Sequence, residues 1–319
     1  MMRGTLVAAS LLLIAIAAEA RSVSTFSIVA RDAKTGELGV AVASRFFSVG
    51  SVVPYLDSRA GAVATQANAN VTYGPRGLEL MAQGATAEET LRVLLRGDEN
   101  AKSRQVGLVS RDGSSVTHTG EGCNPWAGGR SGPNYAIQGN ILTGEDVVVK
   151  MERAFLDAKG SLAQRIYAAL LAGDAAGGDS RGKQSAALVI VRDKAGFNGG
   201  NDRAIDIRVD DDAEPFIELG RLLKYAEMNY AWNEGWTAFT QKRFAEALEA
   251  QERAAKLGAD VAEVMYDLAV IRLAAGKRAE ALEALARAFA LNPKLKKQAA
   301  NDSDLAAVRG DATFERLMR

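Results

Sequence analysis

Between Thr25 and about Val209 the apolar residues fall in short β-rich runs divided by polar, glycine-rich breaks. From about Ala213 onward they recur at helical spacing in an Ala-, Leu-, Glu- and Arg-rich background. The first texture predicts strands and the second helices, with the change near Asp210-Asp211-Asp212. Phe26–Arg31 and Leu38–Ala43 flank the turn Asp32-Ala33-Lys34-Thr35-Gly36-Glu37 and read as a hairpin. Gly61–Thr65, Gln105–Ser110, Ser115–Thr119, Tyr135–Gln138, Ser185–Val191 and Ile205–Val209 are the other strand candidates. Helical spacing marks Thr86–Leu95, opened by the capping box Thr86-Ala87-Glu88-Glu89, and then Thr143–Ala158 and Ser161–Ala172. Tyr73-Gly74-Pro75-Arg76-Gly77 reads as a rigid turn before a helix over Gly77–Gln83. Strands, then paired helices, then strands predict a layered α/β (α+β) protein, with sheets stacked on each other and helices on the outer faces.

The C-terminal helices carry a period. Gly235, Phe244, Ala247 and Ala254 occupy small and aromatic positions that Ala269, Gly276, Ala281, Ala288 and Pro293 take in the next unit, and Ala247 and Ala281 are one tetratricopeptide repeat length apart, about 34 residues. A tetratricopeptide-like helical tail is expected over residues 231–319, after a linker helix over 213–230, with Asn301–Arg319 covering the end of the stack. Such a tail suits docking to a protein partner or self-association rather than chemistry.

The start of the chain has the layout of a secretory signal. Arg3 precedes an apolar run from Leu6 to Ala18, small residues follow, and Glu19 and Arg21 close the run too early for a membrane span. Residues 1–24 are therefore expected to be removed during export to the periplasm or medium. Ala18-Glu19-Ala20 allows a cut before Arg21, and Ser22-Val23-Ser24 allows one before Thr25. The second cut, or trimming after the first, would free the α-amine of Thr25. A free N-terminal threonine carries a nucleophilic hydroxyl and its own base, an amine of pKa about 7.7–8.0.

Composition narrows the alternatives. The 39 basic and 39 acidic residues balance, giving no field for nucleic acid or anionic lipid, and 48% hydrophobic content is ordinary for a globular protein. One cysteine, Cys123, cannot form an intramolecular disulfide, so the exported fold must rest on its core. One histidine, His118, argues against a zinc site, and Gly128-Gly129 and Gly199-Gly200 match neither a phosphate loop nor a dinucleotide fingerprint. No metal and no cofactor are expected. Gln66, Asn68 and Asn140 have amides able to donate to an oxyanion or to satisfy loose backbone groups. Tyr73 and Arg76 are candidates for the rim of a substrate pocket, as are His118, Arg181 and Gln184, the last two within Arg181-Gly182-Lys183-Gln184-Ser185.

Thr25-Phe26-Ser27-Ile28-Val29-Ala30-Arg31-Asp32, Gly39-Val40-Ala41-Val42-Ala43-Ser44-Arg45, Ala64-Thr65-Gln66-Ala67, Tyr73-Gly74-Pro75-Arg76-Gly77 and His118-Thr119-Gly120 together resemble the bacterial family known as domain of unknown function 1028. Trp126-Ala127-Gly128, Gln138-Gly139-Asn140 and Arg181-Gly182-Lys183-Gln184-Ser185-Ala186-Ala187 extend the likeness, which spans nearly all of Thr25–Asp212. The family is grouped with the N-terminal-nucleophile hydrolases. The resemblance implies a four-layer αββα sandwich over residues 25–212, with Thr25 as nucleophile and Ser44 and Arg45 beside it. Arg45 would either keep the amine neutral by repulsion or clamp a substrate carboxylate. The expected activity is hydrolysis of a small amide, imide or acyl-amino compound, and the resemblance makes homo-oligomerisation plausible. The competing expectation is a non-catalytic protein binding a small ligand or cell-wall fragment. A Cys123 nucleophile with His118 as base is the weaker chemical alternative.

Overall fold

The computed structural model describes residues 25–319. The expected leader and both candidate cut sites lie outside the described residues. The chain is a mixed α+β protein with two antiparallel sheets and an all-helical C-terminal region. β1 (Thr25–Arg31) and β2 (Leu38–Ser44) form the expected hairpin and lie at the centre of the first sheet. They are flanked by β8 (Tyr135–Asn140) and β7 (Gly128–Gly132) on one side, and by β9 (Ser185–Val191) and β10 (Arg203–Val209) on the other, in the order β10-β9-β2-β1-β8-β7. The second sheet has the order β3-β4-β5-β6, from β3 (Pro54–Asp57), β4 (Gly61–Ala67), β5 (Arg104–Ser110) and β6 (Ser115–Thr119).

Alternation along each strand assigns its faces. Val29, Val40, Val42, Ala136 and Val189 of the first sheet meet Ala62, Ala64 and Val109 of the second in one buried layer. On the other face of the first sheet, Phe26, Ile28, Ala41, Ile137 and Leu188 pack against α3 (Asp146–Asp157) and α4 (Leu162–Ala175). The outer face of the second sheet, with Val63, Val106 and Leu108, is covered by α1 (Tyr73–Ala82) and α2 (Ala87–Arg96), and α2 carries the expected capping box.

Two edge strands escape the sequence pattern for physical reasons. β7 reads Gly-Gly-Arg-Ser-Gly and has no apolar residue to alternate, and β3 begins at Pro54, which an edge strand tolerates. The segment from Tyr73 to Gly77 is a correction: it is the first turn of α1, not a separate turn, with Pro75 near the helix start where its missing N–H costs nothing. The expected junction between linker helix and tail, at residue 230, lies within a single helix. α5 (Pro215–Thr240) runs through it, its Phe216, Leu219 and Leu223 in the sandwich core and its Met228 and Ala231 in the helical core. Beyond it, α6 (Phe244–Leu257) packs on α5, and α7 (Ala262–Ala274) pairs with α8 (Arg278–Leu291). Gly235 lets α5 and α6 approach, since a Cβ there would lie 3.2 Å from the Ala247 carbonyl oxygen.

Candidate active site

The layer between the sheets changes character along its length. At one end it is aliphatic, while toward the start of β1 the same faces carry Thr25, Ser27, Ser44, Gln66, Gln105, Gln138 and Asn140, each at most 2% exposed. Thr25 is central because its register partners are Ser44 on β2 and Asn140 on β8. Three strands therefore end side by side with the threonine in the middle.

Buried amides must be paired or they cost about 1–3 kcal/mol each, and these are paired mostly with one another. Thr25 Oγ1 donates to Ser44 Oγ at 3.2 Å. Gln66 Nε2 donates to the Thr25 carbonyl at 3.1 Å and to Gln105 Oε1 at 2.8 Å, while Gln66 Oε1 accepts from Ser27 Oγ at 2.6 Å. Asn140 Nδ2 also donates to Gln105 Oε1, at 2.9 Å. Gln105 Nε2 reaches the Gly139 carbonyl at 2.7 Å and Thr119 Oγ1 at 2.8 Å, tying the second sheet to the first. Gln138 Nε2 donates to Ser27 Oγ at 2.6 Å, and its amide lies where a side chain at position 107 would be, since a Gly107 Cβ would sit 2.2 Å from Gln138 Oε1. Ala67 and Ile141, directly after Gln66 and Asn140, have φ of 64° and 52°. For a β-branched residue such as Ile141 this is a strained backbone, of the kind that persists where surrounding contacts hold it.

The segment from Gly177 to Gln184 borders this end of the sheet. Asp179, 7% exposed, accepts from the Arg45 amide at 2.7 Å and from Arg181 Nη2 at 3.0 Å. Lys183 pairs with Asp174 at 2.9 Å and Glu214 at 3.2 Å, and Gln184 donates to Asp211 at 3.1 Å. Arg45 differs. Its Nη1 donates to the Arg181 carbonyl at 3.3 Å, and among the described residues it forms no ion pair. A cavity of about 110 Å³ lies against Ser44, walled by Phe26, Asp179, Lys183 and Phe216, with Phe26 and Phe216 stacked at 6.2 Å.

The structure thus brings together Thr25, Ser44, Gln66 and Asn140, with Arg45, Arg181 and Gln184 nearby. It sets the other candidates apart. Tyr73 is a core residue whose hydroxyl donates to Asp98 at 2.9 Å, and Asp98 also binds Arg104 Nε at 2.8 Å. Arg76 is exposed on α1. Asn68 is exposed just past β4, its carbonyl accepting from Arg104 Nη1 at 2.6 Å. His118 is opposite Val106 and shares its outward face, one position out of phase with Thr117 and Thr119, and its Nε2 lies 3.3 Å from the Ala101 carbonyl. Gln66 is also placed differently from an oxyanion donor: its N–H groups are committed to Thr25 and Gln105, so it positions the β1 end instead. Cys123 donates to the Arg104 carbonyl at 3.4 Å, and burial pushes its thiol pKa up, which disfavours the thiolate. Ser27, Gln105, Gln138 and Asp179 were not singled out from the sequence. Polar residues at period two inside apolar strands, such as Ser27 two after Thr25 and Gln138 two before Asn140, were the available signal.

Among the described residues no group of three or more His, Cys, Asp or Glu could hold a metal, and no helix is long and apolar enough to cross a membrane. Residues 25–219 match the model of the family described as "Family of unknown function (DUF1028)". The chain belongs to the DUF1028 family. A DUF1028 crystal structure, that of protein SPO2555 from Silicibacter pomeroyi, superposes with a TM-score of 0.58 at 26% identity, covering 64% of this chain and 89% of that one. No curated protein matches the chain. The DUF1028 match begins at Thr25 and ends inside α5, so it includes the threonine, the amide network and Phe216.

Proposed function

We propose that the protein is an exported N-terminal-threonine amidohydrolase of the N-terminal-nucleophile hydrolase class, with a tetratricopeptide-like tail for docking or assembly. The observation that carries this reading is the position of Thr25: first residue of the family match, central in the sheet end, with its hydroxyl on Ser44 and its carbonyl held by Gln66. Once residues 1–24 are removed, the Thr25 amine takes the hydroxyl proton as Oγ1 attacks an amide carbonyl. The leaving nitrogen then receives that proton, and water releases the acyl group from the ester. Near pH 7.5 an amine of pKa about 8 is roughly one quarter neutral, enough to serve as base. Ser44 orients the hydroxyl.

Arg45 bears on the substrate. With Arg181 neutralised by Asp179 and Lys183 by Asp174 and Glu214, Arg45 is the mouth cation whose charge remains available, and a guanidinium fork suits a carboxylate. The favoured substrate is therefore an amide bearing a carboxylate, as in an N-acyl amino acid. The test is stoichiometric labelling of Thr25 by a neutral acylating electrophile. Labelling lost in Thr25→Ala and kept in part in Thr25→Ser supports the reading, whereas equal labelling in Thr25→Ala removes it.

A further inference from the structure

At the pole of the sandwich opposite Thr25, the β1–β2 turn, the start of α4 and the helices α5 and α6 border an open cleft of about 850 Å³. Small-molecule sites are commonly of this size, roughly 300–1,000 Å³, and favour junctions between domains. Here the junction is the point where α5 leaves the sheet and enters the helical region.

Most carboxylates of the cleft are already committed. Asp32 Oδ1 accepts from the Lys34 amide at 2.8 Å and the Thr35 amide at 3.0 Å, and Oδ2 from Arg165 at 3.4 Å. Glu234 is held between Arg192 at 3.0 Å and Arg253 at 2.5 Å. Glu37 is buried, faces the Tyr230 hydroxyl at 3.5 Å, and burial raises its carboxyl pKa, so its negative charge is disfavoured. The cations are not matched in the same way. Arg31 Nη1 donates to the neutral Asn134 Oδ1 at 3.1 Å, and among the described residues Arg31, Lys34 and Lys159 form no ion pair.

What the cleft still offers is therefore chiefly donors: the Lys34 and Lys159 ammonium groups and most of the Arg31 guanidinium, with Asp32 acting on Lys34 and Asp112 on Arg31 through space rather than by direct contact. A concave surface with surplus positive charge concentrates anions, and charge-assisted bonds to oxyanions are the strongest such groups make. We propose that this cleft is a second binding site, for a small multivalent oxyanion of the polycarboxylate or phosphate-ester class, held by Arg31, Lys34 and Lys159. Tyr230 and Glu234 of α5 and Arg253 of α6 also line the cleft, which therefore borders both the sandwich and the helical region.

Calorimetric titration of the full chain with citrate and with pyrophosphate at low salt tests this, with acetate as the monovalent control. Saturable one-to-one binding of at least one probe is expected, absent for acetate and retained in Thr25→Ala, which separates this site from the catalytic reading. In the double variant Lys34→Gln/Lys159→Gln, whose positions are both exposed, affinity should fall about ten- to a hundredfold. Lys159→Gln alone, which removes one exposed charge, should lose about tenfold and provides the same test should the double variant melt early. Tighter citrate binding assigns a polycarboxylate, and tighter pyrophosphate binding a phosphate ester. No saturable binding of either probe up to about 10 mM, or equal affinity with and without the lysines, overturns the proposal.

Discussion

Gln105→Met gives the amide network its sharpest test, because it keeps the side-chain length and removes every hydrogen bond. Gln105 is fully buried and makes four bonds of 2.7–2.9 Å: Nε2 to the Gly139 carbonyl and Thr119, and Oε1 from Gln66 and Asn140. Thr119 is partly exposed and can turn to water, and Gln66 keeps its bond to the Thr25 carbonyl. Two or three buried polar groups are still left without Gln105, at about 1–3 kcal/mol each, so the loss should be about 3–6 kcal/mol. That is a large share of the roughly 5–15 kcal/mol typical of a domain. For a domain this large the melting temperature should drop by about 6–20 °C. Urea unfolding followed by circular dichroism and a thermal melt both measure it. Gln184→Met, which removes a bond to Asp211 at the rim, is the control and should stay within about 0.5 kcal/mol. A loss below about 1 kcal/mol in Gln105→Met would mean that water already satisfies these groups, and the claim that the buried amides hold the β1 end by pairing with one another would be refuted.

Arg45→Gln should raise KM for a carboxylate-bearing amide by about ten- to a hundredfold while leaving the rate of Thr25 labelling by a neutral electrophile unchanged; steady-state kinetics and mass spectrometry distinguish the two. Hydrogen bonding from Arg104 holds the Asp98 carboxyl well below the usual carboxylate range, so its contribution is present above the unfolded pKa of about 3.9 and disappears as pH falls toward the folded value. Asp98→Asn should therefore cost about 2–3 kcal/mol at pH 7, with the gap to wild type closing in urea melts as the pH is lowered below about 4. Asp267 behaves oppositely: burial raises its pKa to about 6, and Trp232 Nε1 donates to it at 2.7 Å. The folded state then binds more protons than the unfolded one between about pH 4 and 6, so the helical region should lose on the order of 1–3 kcal/mol as pH rises through that window. Tryptophan fluorescence melts would show it, and Asp267→Asn should flatten the slope.

Much of the strand pattern was legible in the chain because period-two apolar runs and turn chemistry are local. The hairpin β1–β2 and the capping box at Thr86 follow from neighbouring residues alone. Legibility stopped where a long-range contact sets the role. Tyr73 and His118 are residue types common in sites, and only the packing of α1 and the register of β6 show that one anchors Asp98 and the other faces outward. Gln105 sits in a strand that the pattern did mark, yet its importance depends on Gln66 and Asn140 arriving from two other strands. The continuous helix across residue 230 was likewise hidden, since its two halves are apolar toward different cores.

The central claim is that Thr25 works with a free α-amine. Intact mass and N-terminal sequencing of active protein recovered from the periplasm or medium test it most directly. A chain beginning at Thr25 is the expected result, and an active chain that retains residues upstream of Thr25 contradicts the account, because acylation of that nitrogen removes a base worth about 10²–10⁴ in rate.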